Sequence, residues 1–131
     1  MKSEYLVDTN IFLRFILNDH KTLSLQAARY FKKAKNNQAI LITTNLIIAE
    51  LIWVLKSVYQ HQPKKIYRLI SQLLHHKNIY AVDKEIILKA LEIAQNQNVS
   101  FIDACNLLTA RQQKIPLITF DKKLLKLEKS L

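Results

Sequence analysis

Apolar and polar positions alternate along the chain in blocks that predict strands separated by amphipathic helices. Four short apolar runs have the length of a strand, at residues 5–8, 39–43, 79–82 and 116–120. Between them, and after the last, apolar residues recur every three or four positions, as they do on one face of a helix. Because no two-residue hairpin turn separates any two of the runs, the pattern predicts a mainly parallel sheet covered by helices on both faces.

Polar residues at the starts of the predicted helices have the chemistry of N-caps. The candidates are Asp8, Ser24, Thr43 or Thr44, Asp83 and Ser100, and Pro63 suits the first turn of a further helix. The helix over 46–59 is apolar nearly all round, which predicts that it is buried. The apolar face running through 46–55 and 66–74 is wider than one small sheet covers, so it predicts a homodimer or a bound partner protein.

Composition narrows the functional classes. The 131 residues predict a single domain over 1–131, and the absence of glycine excludes a P-loop and a dinucleotide-binding turn, both of which need glycine near phosphate. One cysteine, Cys105, allows neither an internal disulfide nor a cysteine-based zinc site, and we expect it in the core.

Because no stretch has the apolar length of a membrane span or signal peptide, we expect a cytoplasmic protein. A net charge of +10 indicates a polyanionic partner, either nucleic acid or an acidic protein, or alternatively a well-solvated surface of lysine-rich helices.

Four of the ten acids lie inside or beside apolar segments: Asp8, Glu50, Asp103 and Asp121. Asp8 and Asp121 have a simple alternative role as helix caps, and Asp103 follows Ser100 at the spacing of a weak capping box. Glu50 has no such alternative, because its helical neighbours are apolar. We therefore expect Glu50 to be buried and to meet a partner from elsewhere in the fold.

A parallel sheet would bring these four acids to one edge. Asp8 and Asp121 would end the first and fourth strands, while Glu50 and Asp103 lie near the starts of helices. Clustered carboxylates repel one another unless a cation joins them, and oxygen ligands favour Mg²⁺ or Mn²⁺. In a basic protein such a site suits the hydrolysis of phosphodiesters. Arg14 and Arg111 are candidates for contact with a substrate phosphate, or alternatively are solvent-facing helix residues.

The order and spacing of these segments resemble the four motifs of PIN-domain proteins, in particular the ribonuclease toxins of VapC type. The motifs are Asp8-Thr9-Asn10 followed by Ile-Phe-Leu-Arg14, then Ala49-Glu50-Leu-Ile-Trp53, Phe101-Ile-Asp103-Ala104 and Ile118-Thr119-Phe-Asp121. The resemblance spans essentially the whole chain. It implies a three-layer α/β/α sandwich around a mainly parallel sheet of four or five strands. It also implies an endoribonuclease dependent on Mg²⁺ or Mn²⁺, a homodimer, and inhibition by a cognate antitoxin.

The resemblance assigns Asp8, Glu50, Asp103 and Asp121 as catalytic residues and metal ligands, with Thr9, Asn10 and Thr119 as their polar neighbours. Two positions depart from the pattern. Many relatives have a glycine where this chain has Gln113-Lys-Ile115, and many have a second aspartate where it has His20 after Asp19.

Two other functions remain open at this point. A phosphatase similar to the haloacid dehalogenase-like hydrolases would use Asp8 as its nucleophile, but Asn10 replaces the second acid of their DxD motif. A non-catalytic module would bind RNA or a partner protein without cleaving anything. Release of phosphate would identify the first, and binding without metal-stimulated cleavage would identify the second.

Overall fold

Three strands and seven helices follow one another along residues 2–131, the part of the chain that this computed structural model describes. In chain order they are β1 (Ser3–Leu6), α1 (Thr9–Leu17), α2 (Leu23–Lys35), β2 (Ala39–Thr43), α3 (Asn45–Ser57), α4 (Pro63–Leu74), β3 (Ile79–Ala81), α5 (Lys84–Asn96), α6 (Phe101–Gln113) and α7 (Lys122–Ser130). Every helix within residues 2–131 is too short or too polar to cross a bilayer.

The strands form one parallel sheet in the order β1-β2-β3, with Tyr5 beside Leu41 and Leu41 beside Ile79. Helices flank the sheet, which confirms the predicted α/β class with a parallel sheet. Strand β2 lies in the middle, and Ala39, Leu41 and Thr43 are fully buried. Each parallel pair is joined by two helices, so the carboxyl ends of β1 and β2 lead directly into α1 and α3 at one edge of the sheet.

The predicted fourth strand does not form within residues 2–131, where the sheet has three strands instead of the expected four or five. Residues 116–120 form an irregular segment in which Ile118 is 92% exposed and Phe120 is fully exposed. The Leu117 amide donates to a carboxylate oxygen of Glu128 at 3.3 Å. This contact joins the segment to α7. The composition of residues 116–120 favours a strand, but no neighbouring strand within residues 2–131 pairs with them.

The outer edge of β1 is consequently unpaired within residues 2–131. The amides of Ser3 and Val7 point toward β2 and donate to the carbonyls of Gln38 and Ile42. Because backbone groups alternate in direction along a strand, Glu4 and Leu6 direct theirs away from β2. Leu6 is also exposed, so this edge presents both free backbone groups and an apolar side chain to solvent.

Helix α3 is less buried than the sequence predicts. Its core face carries Ile48, Leu51 and Leu55, but Leu46 is 78% exposed and Trp53 is 62% exposed. The expectation of a helix buried all round is therefore wrong on one face.

The apolar face of α4 is covered, although the sequence predicts that it is exposed. Ile66, Ile70 and Leu74 are buried, in a helix that packs mainly against α5. This face is covered within the chain and is not available to a partner.

Several turns take a left-handed backbone without glycine. Among residues 2–131, five residues have positive φ angles, and none of them is glycine: Asn18, Asn37, Gln60, Asp83 and Lys114. Lys114 follows α6 with φ 59°, and the Lys114 and Ile115 amides donate to Arg111 and Ala110 carbonyls in a Schellman arrangement. Lys114 therefore fills the turn where glycine is usual, which accounts for the first departure from the family pattern.

The predicted caps have mixed outcomes. Thr44 and Ser100 accept backbone hydrogen bonds as N-caps, as predicted. Ser24 does not cap α2, because the helix begins at Leu23 and the Ser24 hydroxyl accepts from the His20 amide. Asp83 precedes α5 but makes no side-chain capping bond, since its left-handed backbone replaces the extended one that N-caps adopt.

Candidate functional site

Asp8 and Thr9 lie where β1 ends and α1 begins. Asp8 has the extended backbone of an N-cap, and its Oδ1 accepts from the Thr9 amide at 2.6 Å. The Asp8 side chain is exposed, whereas Thr9 is buried. The strand thus presents a carboxylate to solvent at its carboxyl end and turns the next side chain inward.

Glu50 meets Thr9 across 41 residues of sequence. The Thr9 hydroxyl donates to Oε1 of Glu50, which lies in the second turn of α3. The prediction that Glu50 has a partner from elsewhere in the fold agrees with this contact, but the prediction of burial is wrong because Glu50 is exposed. Its face of α3 is the one that carries exposed Leu46 and Trp53, at spacings of four and three residues. Thr9 therefore holds the α3 carboxylate beside the start of α1.

Asp103 lies in the first turn of α6 and is half-buried. Its amide donates to the Ser100 hydroxyl at 3.1 Å, which is one half of a capping box. A carboxylate at this position is favoured by the positive end of the helix dipole. The local sequence thus explains why an acid is stable here without any ligand.

Asp121 is exposed and caps α7. Its Oδ1 accepts from the amides of Lys123 at 2.9 Å and Leu124 at 3.2 Å, while its own amide donates to the Thr119 hydroxyl at 3.1 Å. The expectation that Asp121 ends a fourth strand is wrong, since no such strand forms in residues 2–131. Asp121 therefore lacks the placement at the sheet edge on which the expected convergence with Asp8 depends.

The four acids do not gather around one point. Within residues 2–131 no three His, Cys, Asp or Glu side chains lie close enough together to hold a metal ion. Thr9 follows Asp8 directly in the sequence and donates a hydrogen bond to Glu50, so it connects these two acids. Asp103 and Asp121 each make only local capping contacts. The oxygen-only donor set suits Mg²⁺ or Mn²⁺, but this arrangement does not supply a complete coordination shell.

Arg14 is held by two protein groups. Its Nη1 lies 2.8 Å from Oδ1 of Asp19, and its Nη2 donates to the Tyr59 hydroxyl at 3.3 Å. The hydrogen bond that Arg14 donates to Tyr59 and the charge of Asp19 raise the pKa of Arg14, which stays a cation. Sequence reasoning missed Tyr59, because nothing in its sequence neighbourhood indicates the contact, whereas Asp19 lies only five residues from Arg14.

The remaining predicted residues are also accounted for. The Arg111 Nη1 donates to the backbone carbonyl of Leu131, so that guanidinium is engaged at the chain end. Asn10 is exposed in the first turn of α1. At His20, the Nδ1 accepts from the Leu23 amide at 3.0 Å, which gives this second departure from the family pattern a role in starting α2.

Cys105 lies against the apolar core and takes no part in the site. Burial raises the pKa of its thiol to about 11, so the thiol is protonated near neutral pH. A protonated thiol is a poor nucleophile, which agrees with the expectation of a core residue.

Comparison with known proteins identifies one family. The profile of the PIN domain matches residues 5–130, nearly the whole chain. PIN domains are generally nucleases, typically acting on RNA, and generally use divalent metal ions. No curated protein has a sequence that matches this chain significantly.

Proposed function

Because the chain belongs to the PIN-domain family, we propose that it is a metal-dependent endoribonuclease, the toxin of a VapC-type toxin–antitoxin pair. The observation that carries the proposal is the hydrogen bond from Thr9 to Glu50. It joins the first two acidic motifs of the sequence, which lie 41 residues apart. Helix capping alone would not require this contact, since Glu50 caps no helix.

The proposed acidic site consists of Asp8, Glu50, Asp103 and Asp121, and it would bind Mg²⁺ or Mn²⁺ and catalyse hydrolysis when Asp103 and Asp121 approach the pair that Thr9 connects. Thr9 orients the Glu50 carboxylate, and Asn10 and Thr119 are the proposed auxiliary groups beside Asp8 and Asp121.

Arg14 and Arg111 are the proposed contacts for substrate phosphate. Each would exchange its present protein acceptor for a phosphate oxygen, a geometry that guanidinium groups match well.

Cleavage of RNA with and without metal tests this function. We expect the purified protein to cut RNA in Mg²⁺ or Mn²⁺ and to stop in EDTA. Glu50→Gln should abolish cleavage, whereas the matched variant Glu92→Gln should not, because Glu92 is an exposed acid paired with Lys89 at 3.6 Å. Cleavage that continues after complete chelation, or equal activity of both variants, would contradict the proposal.

One observation favours the non-catalytic module as a second candidate. Asp8 and Asp121 both cap helices, and a cap needs neither metal nor substrate. A protein that binds RNA but shows no metal-stimulated cleavage would support this module. Measuring inorganic phosphate in the same assay would detect the phosphatase activity that the sequence leaves open.

We also propose that the exposed apolar face around Glu50 contacts protein partners, namely a second copy of the chain and a cognate antitoxin, in the cytoplasm. Leu46 and Trp53 leave a large apolar surface in water on either side of the acid. An antitoxin bound there would also cover the carboxylate. Sedimentation should show a dimer that Trp53→Ser weakens, and a monomer at tens of micromolar would contradict the homodimer, since this is roughly the range in which a modest interface forms.

A further inference from the structure

A basic cleft opens between the start of α4 and the segment that joins α5 to α6. Its volume is about 880 Å³, at the upper end of the range of roughly 300–1,000 Å³ found for ligand sites. The fourteen residues that line it include no aspartate or glutamate. Four of them are cations: Lys56, Lys64, Lys65 and Arg68.

These four cations have no acidic partner within residues 2–131. The ion pairs there are Arg14 with Asp19 and Lys89 with Glu92, both outside the cleft. All four lining cations are exposed. Like charges gathered around one concavity repel each other and attract an anion, and the concavity concentrates their field.

The start of α4 strengthens the preference for an anion. Lys64 and Lys65 occupy its first turn, where the helix dipole disfavours cations and where no acid is present. The N-cap residue Gln62 makes no side-chain capping bond, and Pro63 has no amide hydrogen to offer. The backbone amides of the two lysines therefore add donors to the charge of the cleft.

The opposite wall, at the end of α5 and in the segment that follows it, is lined mostly by residues with amide side chains. Gln95, Asn96, Gln97 and Asn98 line the cleft beside Ser100. Amides both donate and accept hydrogen bonds, as do nucleic-acid bases and riboses, whereas the carboxylates of an acidic peptide only accept. The combination of cations on one wall and amides on the other therefore favours a nucleic acid over an acidic protein.

The cleft also adjoins the elements that carry two of the proposed catalytic acids. Ser100, in its wall, accepts the hydrogen bond from the Asp103 amide at 3.1 Å. Lys56 follows Glu50 by six residues on α3, a rise of roughly 9 Å along the helix. A strand bound in the cleft would therefore lie near the acid-bearing start of α6.

We propose that this cleft binds the phosphate backbone of single-stranded RNA, with the amide wall contacting bases and riboses. The proposal rests on the proposed ribonuclease function for its choice of RNA. Single strands expose base edges that an open, amide-lined surface can contact.

Binding of a labelled oligouridine in EDTA, measured by fluorescence anisotropy over a range of salt concentrations, tests the cleft without cleavage. Lys64→Ala/Lys65→Ala should weaken binding by about 25-fold near 0.1 M salt and reduce the slope of log K against log salt by about 1.4, because each phosphate contact contributes roughly 0.7. Lys64→Arg/Lys65→Arg should retain both. The charge-matched control is Lys32→Ala/Lys35→Ala, on the exposed basic side of α2.

An equal loss of affinity in the control would show that overall charge alone attracts RNA, and would contradict RNA binding in the cleft. Unchanged binding in the Lys64/Lys65 variant would contradict it as well. Tighter, competing binding of poly-glutamate would identify an acidic protein as the occupant and would overturn the choice of RNA. If the alanine variant does not melt at the parental temperature, Lys56→Ala/Arg68→Ala tests the same cleft with the same expected loss. A protein that binds through the cleft yet cuts no RNA with any metal ion would support the cleft and contradict the ribonuclease.

Discussion

Removing the Thr9 hydroxyl should destabilise the fold and release Glu50. Thr9→Val keeps the shape of the buried side chain but deletes the donor that Glu50 accepts. A hydrogen bond to a charged group contributes about 1.5–3 kcal/mol, and we expect the lower end because Glu50 is exposed and water can replace the donor. For 131 residues the entropy of unfolding is about 0.28 kcal/mol/K, so a loss of about 1.5 kcal/mol lowers Tm by about 5 °C.

A double-mutant cycle isolates this hydrogen bond from other effects. Thr9→Val, Glu50→Ala and the double variant should show a coupling free energy of about 1–1.5 kcal/mol in urea unfolding. Thr109→Val, an exposed threonine on α6, should change stability by less than about 0.5 kcal/mol. Coupling below about 0.3 kcal/mol would refute the link between α1 and α3, because independent sites add within about that error.

Three further predictions concern stability. Lys114→Gly should raise the free energy of unfolding by about 0.5–1 kcal/mol. The left-handed backbone at this position costs a lysine more free energy than glycine loses through the extra entropy of the unfolded chain; destabilisation in urea would contradict this. Thr43→Val should stabilise by about 1 kcal/mol in the same assay, because the buried Thr43 hydroxyl has no hydrogen-bond partner within residues 2–131; a loss of stability would show that the hydroxyl is bonded. The pKa of Cys105, raised by burial from 9.0 to about 11, means that the folded chain holds this proton more tightly than the unfolded chain. This tighter proton binding therefore stabilises the fold fully below about pH 9, and the stabilisation is lost as the pH rises to about 11. The free energy of unfolding of the parent should fall more over that range than that of Cys105→Ala; parallel pH profiles would exclude the effect.

Local patterns in the sequence predicted most of the fold. The bounds of β2 and the positions of α3, α4 and α6 follow from apolar periodicity and from caps such as Thr44 and Ser100, which act within one turn. Strand formation at 116–120 depends on a neighbour far away in sequence, and β propensity cannot supply one.

For the site, the sequence predicts local roles of single residues, whereas the joint catalytic role of the four acids stays a prediction. Capping positions for Asp8 and Asp121 were foreseen because an N-cap is a local feature. The exposure of Glu50 was not, because the apolar neighbours Leu46 and Trp53 remain in water instead of joining the core. Which face of an apolar helix is covered depends on tertiary packing, and the sequence of that helix alone does not determine it.

The exposed segment at 116–120 has a consequence for the thermodynamics of unfolding. Ile118 and Phe120 are almost as accessible in the folded chain as in an extended one, so unfolding uncovers almost nothing at these two positions. Denaturant m-values and the heat capacity of unfolding scale with newly exposed surface, and neither quantity should register their replacement by serine. Any effect of Ile118→Ser or Phe120→Ser on sedimentation or RNA cleavage therefore reports contacts that the folded protein makes with another molecule or with its own sheet during function.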